Sequence, residues 1–301
     1  MLGGGRQLSF CDRVHFPLIM GHETTGEALA WGNEAQGVVV GSRYLISSWV
    51  GCRRCASCKA GDEHLCIAPQ FLGVNQDGAY ADPILVPHPR YLIDLKGLDP
   101  VSAAPLACSG LTTFSALKKA GPVLHDECIV MFGAGGLGLM ALNLMRLMGA
   151  RGSVVVEIDP KKREAALAAG AVAVVDPNTA DAAGQIRSAV GGPVHFVLDL
   201  VGSGETTALG FDMLAKGGKV VVVVGLLGGA MSLSVSLLPM RAATLQGSYI
   251  GSPAELRELV ELVQIGSGLD VPIDRRSLSD VDAALADLRA GKVVGRVVLV
   301  P

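Results

Sequence analysis

Cys128-Ile129-Val130-Met131-Phe132-Gly133-Ala134-Gly135-Gly136-Leu137-Gly138 runs from an uncharged apolar stretch straight into a Gly-x-Gly-x-x-Gly turn. The glycine pattern alone is weak in a chain with 39 glycines among 301 residues. Its setting gives it meaning, because Glu127–Phe132 reads as a strand and Leu137–Met148 as a helix. Gly133 then permits the sharp turn, Gly135 lets backbone reach a pyrophosphate, and Gly138 lets helix and strand pack closely. Leu137, just after Gly136, opens the helix, whose N-terminus presents free N–H groups and partial positive charge to phosphates. Nineteen residues past Gly138, at the end of the next strand, stands Glu157. A carboxylate there accepts hydrogen bonds from ribose hydroxyls and repels a 2′-phosphate, so the expected cofactor is NAD rather than NADP. Lys161, Lys162 and Arg163 work the other way as a basic cluster able to accommodate a 2′-phosphate, or else form a solvated helix face.

The alternation continues outward from this turn. Ser153–Ile158, Val172–Val175, Val194–Leu200, Lys219–Val224 and Ala243–Ser248 are further strand candidates. Pro160–Ala169, Asp181–Val190 and Glu205–Ala215 are the helices between them. Continuous apolar strands alternating with helices predict an α/β fold, a doubly wound parallel sheet covered on both faces. Residues 1–108 read instead as a β-rich unit with irregular loops, containing short extended stretches at Val38–Val40, Arg43–Ile46 and Ala79–Val86. After residue 251 come a helix at Pro253–Ile265, another at Ser279–Leu288 and a strand at Gly295–Val300. The expected division is 1–108 with 251–301 as a catalytic unit and 109–250 as a nucleotide-binding unit.

Half of the residues are hydrophobic, enough for large cores and incompatible with a disordered chain. The formal net charge of −3 shows no basic excess for nucleic acid or an anionic membrane. The uncharged run Cys128–Met145 is long enough to suggest a membrane span, but four glycines and Asn143 interrupt it, and a buried strand–turn–helix is the better account. Met1-Leu2-Gly3-Gly4-Gly5-Arg6 lacks the apolar core of a signal peptide, which predicts a cytoplasmic protein.

Seven cysteines stand at positions 11, 52, 55, 58, 66, 108 and 128. Four form Cys52-x-x-Cys55-x-x-Cys58-x7-Cys66, in which closely spaced thiolates converge from a tight loop and a fourth completes a tetrahedron. Such a closed set predicts structural zinc, with Arg53, Arg54 and Lys59 offsetting its negative charge. Disulfides are disfavoured without a secretory signal, an iron–sulfur cluster by the spacing and by Ile67 after Cys66, and a zinc ribbon by the missing second knuckle.

These four cysteines, Gly21-His22-Glu23-x-x-Gly26-Glu27, Leu106-Ala107-Cys108-Ser109-Gly110-Leu111-Thr112-Thr113 and the cofactor turn occur in the order found in the zinc-containing medium-chain alcohol dehydrogenases. The chain resembles that family through essentially its whole length. The resemblance implies a Rossmann doubly wound sheet plus a β-rich GroES-like catalytic domain, and a homo-oligomer (dimer or tetramer). It implies a catalytic zinc held by His22 and Cys108, with Glu23 as an alternate ligand or a support for the site. It places Lys162 near the adenosine ribose, Arg296 near the pyrophosphate, Asp199-Leu200-Val201-Gly202 near the adenine and Val224-Gly225-Leu226 near the nicotinamide. For the last two segments, ordinary strand-end turn chemistry is the competing reading. The expected reaction moves hydride between a primary or secondary alcohol and NAD, with an aldehyde or ketone as product.

The family's first zinc ligand lies in a Gly-x-Cys-His-(Ser/Thr)-type segment, which also carries the hydroxyl that relays the alcohol's proton. Nothing before His22 matches it, and Cys11, in Ser9-Phe10-Cys11-Asp12, reads as a free thiol. The expectation is therefore an N-terminally truncated chain that binds NAD and zinc with little or no alcohol turnover. The alternative class is an NAD- and zinc-binding remnant or regulatory protein. A zinc-free quinone-reductase-like relative is disfavoured by the cysteine lobe and Cys108. His15, His64, His88, His125 and His195 have no partner at metal-ligand spacing, Cys128 reads as core, and Trp49 reads equally as slot lining or core.

Overall fold

A computed structural model describes residues 16–33, 35–223, 228–266 and 268–301. Strands β1 (Thr24–Glu27), β2 (Arg43–Ile46) and β3 (Leu92–Asp94) form an antiparallel sheet in that order. Strands β4 (Ile129–Phe132), β5 (Ser153–Val156), β6 (Ala173–Val175), β7 (Phe196–Asp199), β8 (Lys219–Val222) and β9 (Thr244–Gly247) form a parallel sheet in the order β6-β5-β4-β7-β8-β9. This is the dinucleotide-binding order, in which the strand order reverses between β4 and β7, the place where such sheets take a nucleotide outside the carboxyl ends of their strands. Strands β10 (Ile273–Ser277) and β11 (Arg296–Val300) pair in parallel.

Alternation along β4 shows why this sheet is covered twice. Ile129 and Met131 enter a core with Leu111, Leu139, Met140, Leu198 and Leu259, whereas Val130 and Phe132 enter another with Val154, Val197, Phe211 and Val220. The first core also takes Leu45, Trp49 and Phe71, so it continues from the β-rich part into the parallel sheet. Among the described residues, no helix is long and apolar enough to cross a membrane.

The expected strands of the parallel sheet all form, each shorter by one to three residues, and helices Gly136–Leu147, Pro160–Ala168, Ala182–Val190 and Gly204–Met213 fill the intervals. The N-terminal expectations fare less well. Val38–Val40 is irregular and leads into a turn at Val40, with Val39 and Val40 exposed, and Ala79–Val86 is irregular around Pro83. Strands β1, β3 and β10 and helix Ser109–Lys118 were not anticipated. The helix is buried almost all round, so it has no polar face to reveal its period. Strand β10, Ile-Asp-Arg-Arg-Ser, reads as surface until Arg276 is seen held by Asp274 and Asp287.

Candidate functional site

The nucleotide turn is crowded wherever its glycines face protein. Gly133 takes a φ of +94°, and a Cβ on Gly138 would lie 2.2 Å from the Gly133 carbonyl oxygen. Gly135 differs, since a Cβ there would meet nothing within 4 Å, leaving an open approach to the backbone. Gly135 also caps helix Gly136–Leu147 without any side-chain hydrogen bond, so the first-turn N–H groups are free to meet an anion. Leu137 lies in that first turn. These features fit a dinucleotide pyrophosphate.

Glu157 is buried, and its carboxylate accepts hydrogen bonds from the backbone N–H of Ala134 (2.7 Å) and Asp159 (3.0 Å). It therefore braces the glycine turn. The basic cluster divides. Arg163 donates to the carbonyls of Glu157 (2.9 Å) and Ile158 (2.8 Å) and pairs with Asp176 (3.0 Å). Lys161 and Lys162 sit in the first turn of helix Pro160–Ala168, capped by Asp159. Asp199 is fully buried and accepts from Val201 N–H, Gly202 N–H, Thr206 and Thr207, which fixes the turn after β7. Val224-Gly225-Leu226 lies outside the described residues, as does Cys11.

Arg296 begins β11 and lies against the cofactor helix, where a Cβ on Gly136 would be 2.9 Å from its Cδ and 3.0 Å from Nη1. Its Nη2 forms a close ion pair with Glu23. The other Glu23 oxygen accepts the Ser109 N–H at 2.7 Å, beside Cys108. The segment before His22 is held by tight glycine packing, since a Cβ on Gly21 would lie 2.7 Å from the Tyr80 ring. Ser48 donates to the His22 carbonyl at 2.7 Å. Trp49 meets the His22 ring edge-on at 5.4 Å, and its Nε1–H donates to the Ala107 carbonyl at 3.0 Å. Trp49 is thus buried packing that ties the His22 segment to the Cys108 segment. His22, Glu23 and Arg296 are among the residues lining a cavity of about 1080 Å³, together with residues of β1 and β11.

Burial holds the His22 imidazole below its ordinary pKa, against the pull of the Glu23 charge. Burial, helped by the same charge, pushes the Cys108 thiol up. His22 is thereby kept in its neutral, ligating form, while Cys108 needs a cation beside it to become a thiolate. A neutral imidazole and a thiol are donor types zinc takes, so His22 and Cys108 fit that ion chemically, whereas Glu23, engaged by Ser109 and Arg296, does not converge with them as a third ligand. Thr112 Oγ1, one helical turn beyond Cys108, is buried beside that thiol and favours its charged form, opposing the effect of burial.

Among the described residues, Cys52, Cys55, Cys58 and Cys66 form the only group of three or more such side chains whose ligand atoms converge, all within 4.8 Å. The Cys55–Cys66 sulfur separation is 4.0 Å, far from a disulfide bond and close to the roughly 3.8 Å edge of a tetrahedral zinc–thiolate site. Backbone N–H groups of Arg54 and Cys55 draw the Cys52 thiol down to about 6, whereas burial pushes Cys58 up to about 12. The set fits a closed zinc site. Glu63, within the lobe, was not foreseen: it is buried, accepts from Tyr91 Oη (2.5 Å) and Gly51 N–H (3.1 Å), and pairs with Arg90 (3.2 Å). That network fastens the lobe beside β3. Of the remaining described histidines, His195 pairs with Glu127 at 2.8 Å and His88 caps a turn, while His15 lies outside the described residues.

The family description "Alcohol dehydrogenase GroES-like domain" matches residues 4–97, and "Zinc-binding dehydrogenase" matches residues 136–264. An NAD-dependent alcohol dehydrogenase of Sulfurisphaera tokodaii is 35% identical over 289 residues, 96% of this chain and 83% of that protein. A protein of the same description from Saccharolobus solfataricus is 33% identical over 289 residues, covering 96% of this chain and 83% of its own. The crystal structure of the Aeropyrum pernix alcohol dehydrogenase superposes with a TM-score of 0.86 at 30% identity, covering 96% of this chain and 84% of that one. The chain belongs to the zinc-containing medium-chain alcohol dehydrogenase family.

Proposed function

We propose that this chain transfers hydride between a primary or secondary alcohol and NAD, using a catalytic zinc held by His22 and Cys108 beside Glu23. The observation that carries the reading is Arg296, which lies against Gly136 at the head of the cofactor helix and pairs with Glu23, the neighbour of His22. One guanidinium thus joins the nucleotide turn to the candidate metal site. When bound, zinc supplies a Lewis acid that lowers an alcohol's pKa, and NAD supplies the hydride acceptor. In this reading Gly133, Gly135, Gly136, Leu137 and Gly138 cradle the pyrophosphate with Arg296. Glu157 and Lys162 hold the adenosine ribose, and Val224 stands near the nicotinamide. Residues 1–108 and 251–301 form the catalytic part and 109–250 the nucleotide-binding part. Cys52, Cys55, Cys58 and Cys66 hold a structural zinc.

A homo-oligomer and a cytoplasmic location belong to the same reading. Strand β9 is an open sheet edge among the described residues, and Val235, Met240 and Leu245 near it are exposed, a template for a second copy. Four thiols committed to zinc suit a reducing compartment. A second reading, NAD and zinc binding without turnover, is favoured by one observation: both Glu23 oxygens are already engaged, by Ser109 and Arg296. The test counts zinc per chain and follows NADH formation from a panel of alcohols with zinc supplied. Two zinc ions with turnover support alcohol oxidation, whereas one zinc without turnover supports the second reading.

A further inference from the structure

Asn143 interrupts an otherwise apolar face of helix Gly136–Leu147 and is only 3% exposed. A buried amide in a helix interior calls for partners, and here all its groups are used. Nδ2 donates to the carbonyls of Leu139 (3.1 Å) and Asp270 (3.2 Å), and Oδ1 accepts the Asp270 N–H at 2.8 Å. Two residues further on, the Pro272 carbonyl accepts the backbone N–H of Arg296 at 2.9 Å. The contact is close, since a Cβ on Gly295 would lie 2.1 Å from that carbonyl oxygen. The Arg296 backbone therefore hangs on the segment 270–272, and that segment hangs on Asn143. The Arg296 side chain returns to the same helix at Gly136, two turns before Asn143.

We propose that Asn143 is a positioning residue for the cofactor pyrophosphate: by clamping the Asp270 backbone to the cofactor helix, it fixes where the Arg296 guanidinium stands over that helix's N-terminus. The proposal rests on the reading that Arg296 faces the pyrophosphate. Without the amide, Arg296 keeps its charge but loses its fixed placement, and a guanidinium that must be ordered on binding contributes less.

The test uses the full chain and two probes displaced against NADH fluorescence: ADP-ribose, which carries the pyrophosphate, and adenosine, which does not. Asn143→Leu and Asn143→Ser should each weaken ADP-ribose about threefold to tenfold and leave adenosine within about twofold. Either variant that folds reads the proposal. Asn143→Gln, which keeps the amide, should recover most of the affinity. Adding Asn143→Leu to Arg296→Gln should weaken ADP-ribose by no more than about twofold beyond Arg296→Gln alone, because both act through one guanidinium. Equal weakening of both probes, or unchanged ADP-ribose binding where Arg296→Gln weakens it, overturns the proposal. If Arg296→Gln itself leaves ADP-ribose unchanged, the pyrophosphate reading fails and the proposal falls with it.

Discussion

Glu157→Ala should loosen the nucleotide turn and relax the choice between NAD and NADP at once. The carboxylate accepts the N–H of Ala134 at 2.7 Å, and Ala134 is fully buried, so the truncation leaves that donor without a partner. An orphaned buried donor costs about 1–3 kcal/mol, and a hydrogen bond to a charged group contributes about 1.5–3 kcal/mol. The Asp159 N–H, bonded at 3.0 Å, is half-exposed and regains water. The net loss is then about 2–3 kcal/mol, or roughly 4–12 °C in Tm at about 2–4 °C per kcal/mol. Removing the negative charge also relieves its repulsion of a 2′-phosphate, and the ratio of NADP to NAD affinity should rise by at least about tenfold, or about 1.4 kcal/mol. Glu157→Gln separates the two effects: its carbonyl still accepts one N–H, so Tm should be largely kept while the cofactor preference still relaxes. Thermal melts and fluorescence titrations with both reduced cofactors read the outcome. Unchanged Tm together with an unchanged affinity ratio would refute both roles of the carboxylate and move attention to Asp159.

Three further outcomes follow from the site. Cys58→Ser, or chelation of the wild-type chain, should lower Tm by more than about 5 °C while NAD affinity stays within about twofold, because a closed zinc site contributes folding energy; an unchanged melt would remove the structural-zinc reading. Glu63→Gln should destabilise the chain by about 1–3 kcal/mol in urea unfolding, since it weakens a buried acceptor of Tyr91, Gly51 and Arg90; a neutral result would mean that the network does not fasten the lobe. In the zinc-free chain, burial lowers the pKa values of His22 and of His64, whose Nδ1 is buried without a partner. The unfolded histidines therefore bind protons that the folded ones refuse. Stability should be full above about pH 6.5 and fall as pH drops below it, and denaturant midpoints that rise on acidification would contradict this sign.

The parts of the molecule legible from residues alone are those where one local requirement dominates. A buried parallel strand needs an unbroken apolar run, so Glu127–Phe132 and Lys219–Val224 enclose β4 and β8. A tetrathiolate needs close spacing, so Cys52, Cys55, Cys58 and Cys66 declare themselves. What escaped has its cause far along the chain. Arg296 meets Glu23 across 273 residues, Asn143 meets Asp270 across 127, and neither pairing leaves a periodic trace. Strand β1 is four residues containing a glycine, and it exists because β2 supplies its partners through the pairs Thr24–Ile46 to Glu27–Arg43. Glu157 falls between the two cases. Its position at the end of a strand is the basis for proposing it as a ribose ligand, whereas its bond to the Ala134 N–H is seen only in the folded chain. The carboxylate proposed for cofactor choice is thus also a brace of the glycine turn, and the two roles need separate measurements, one of stability and one of the affinity ratio.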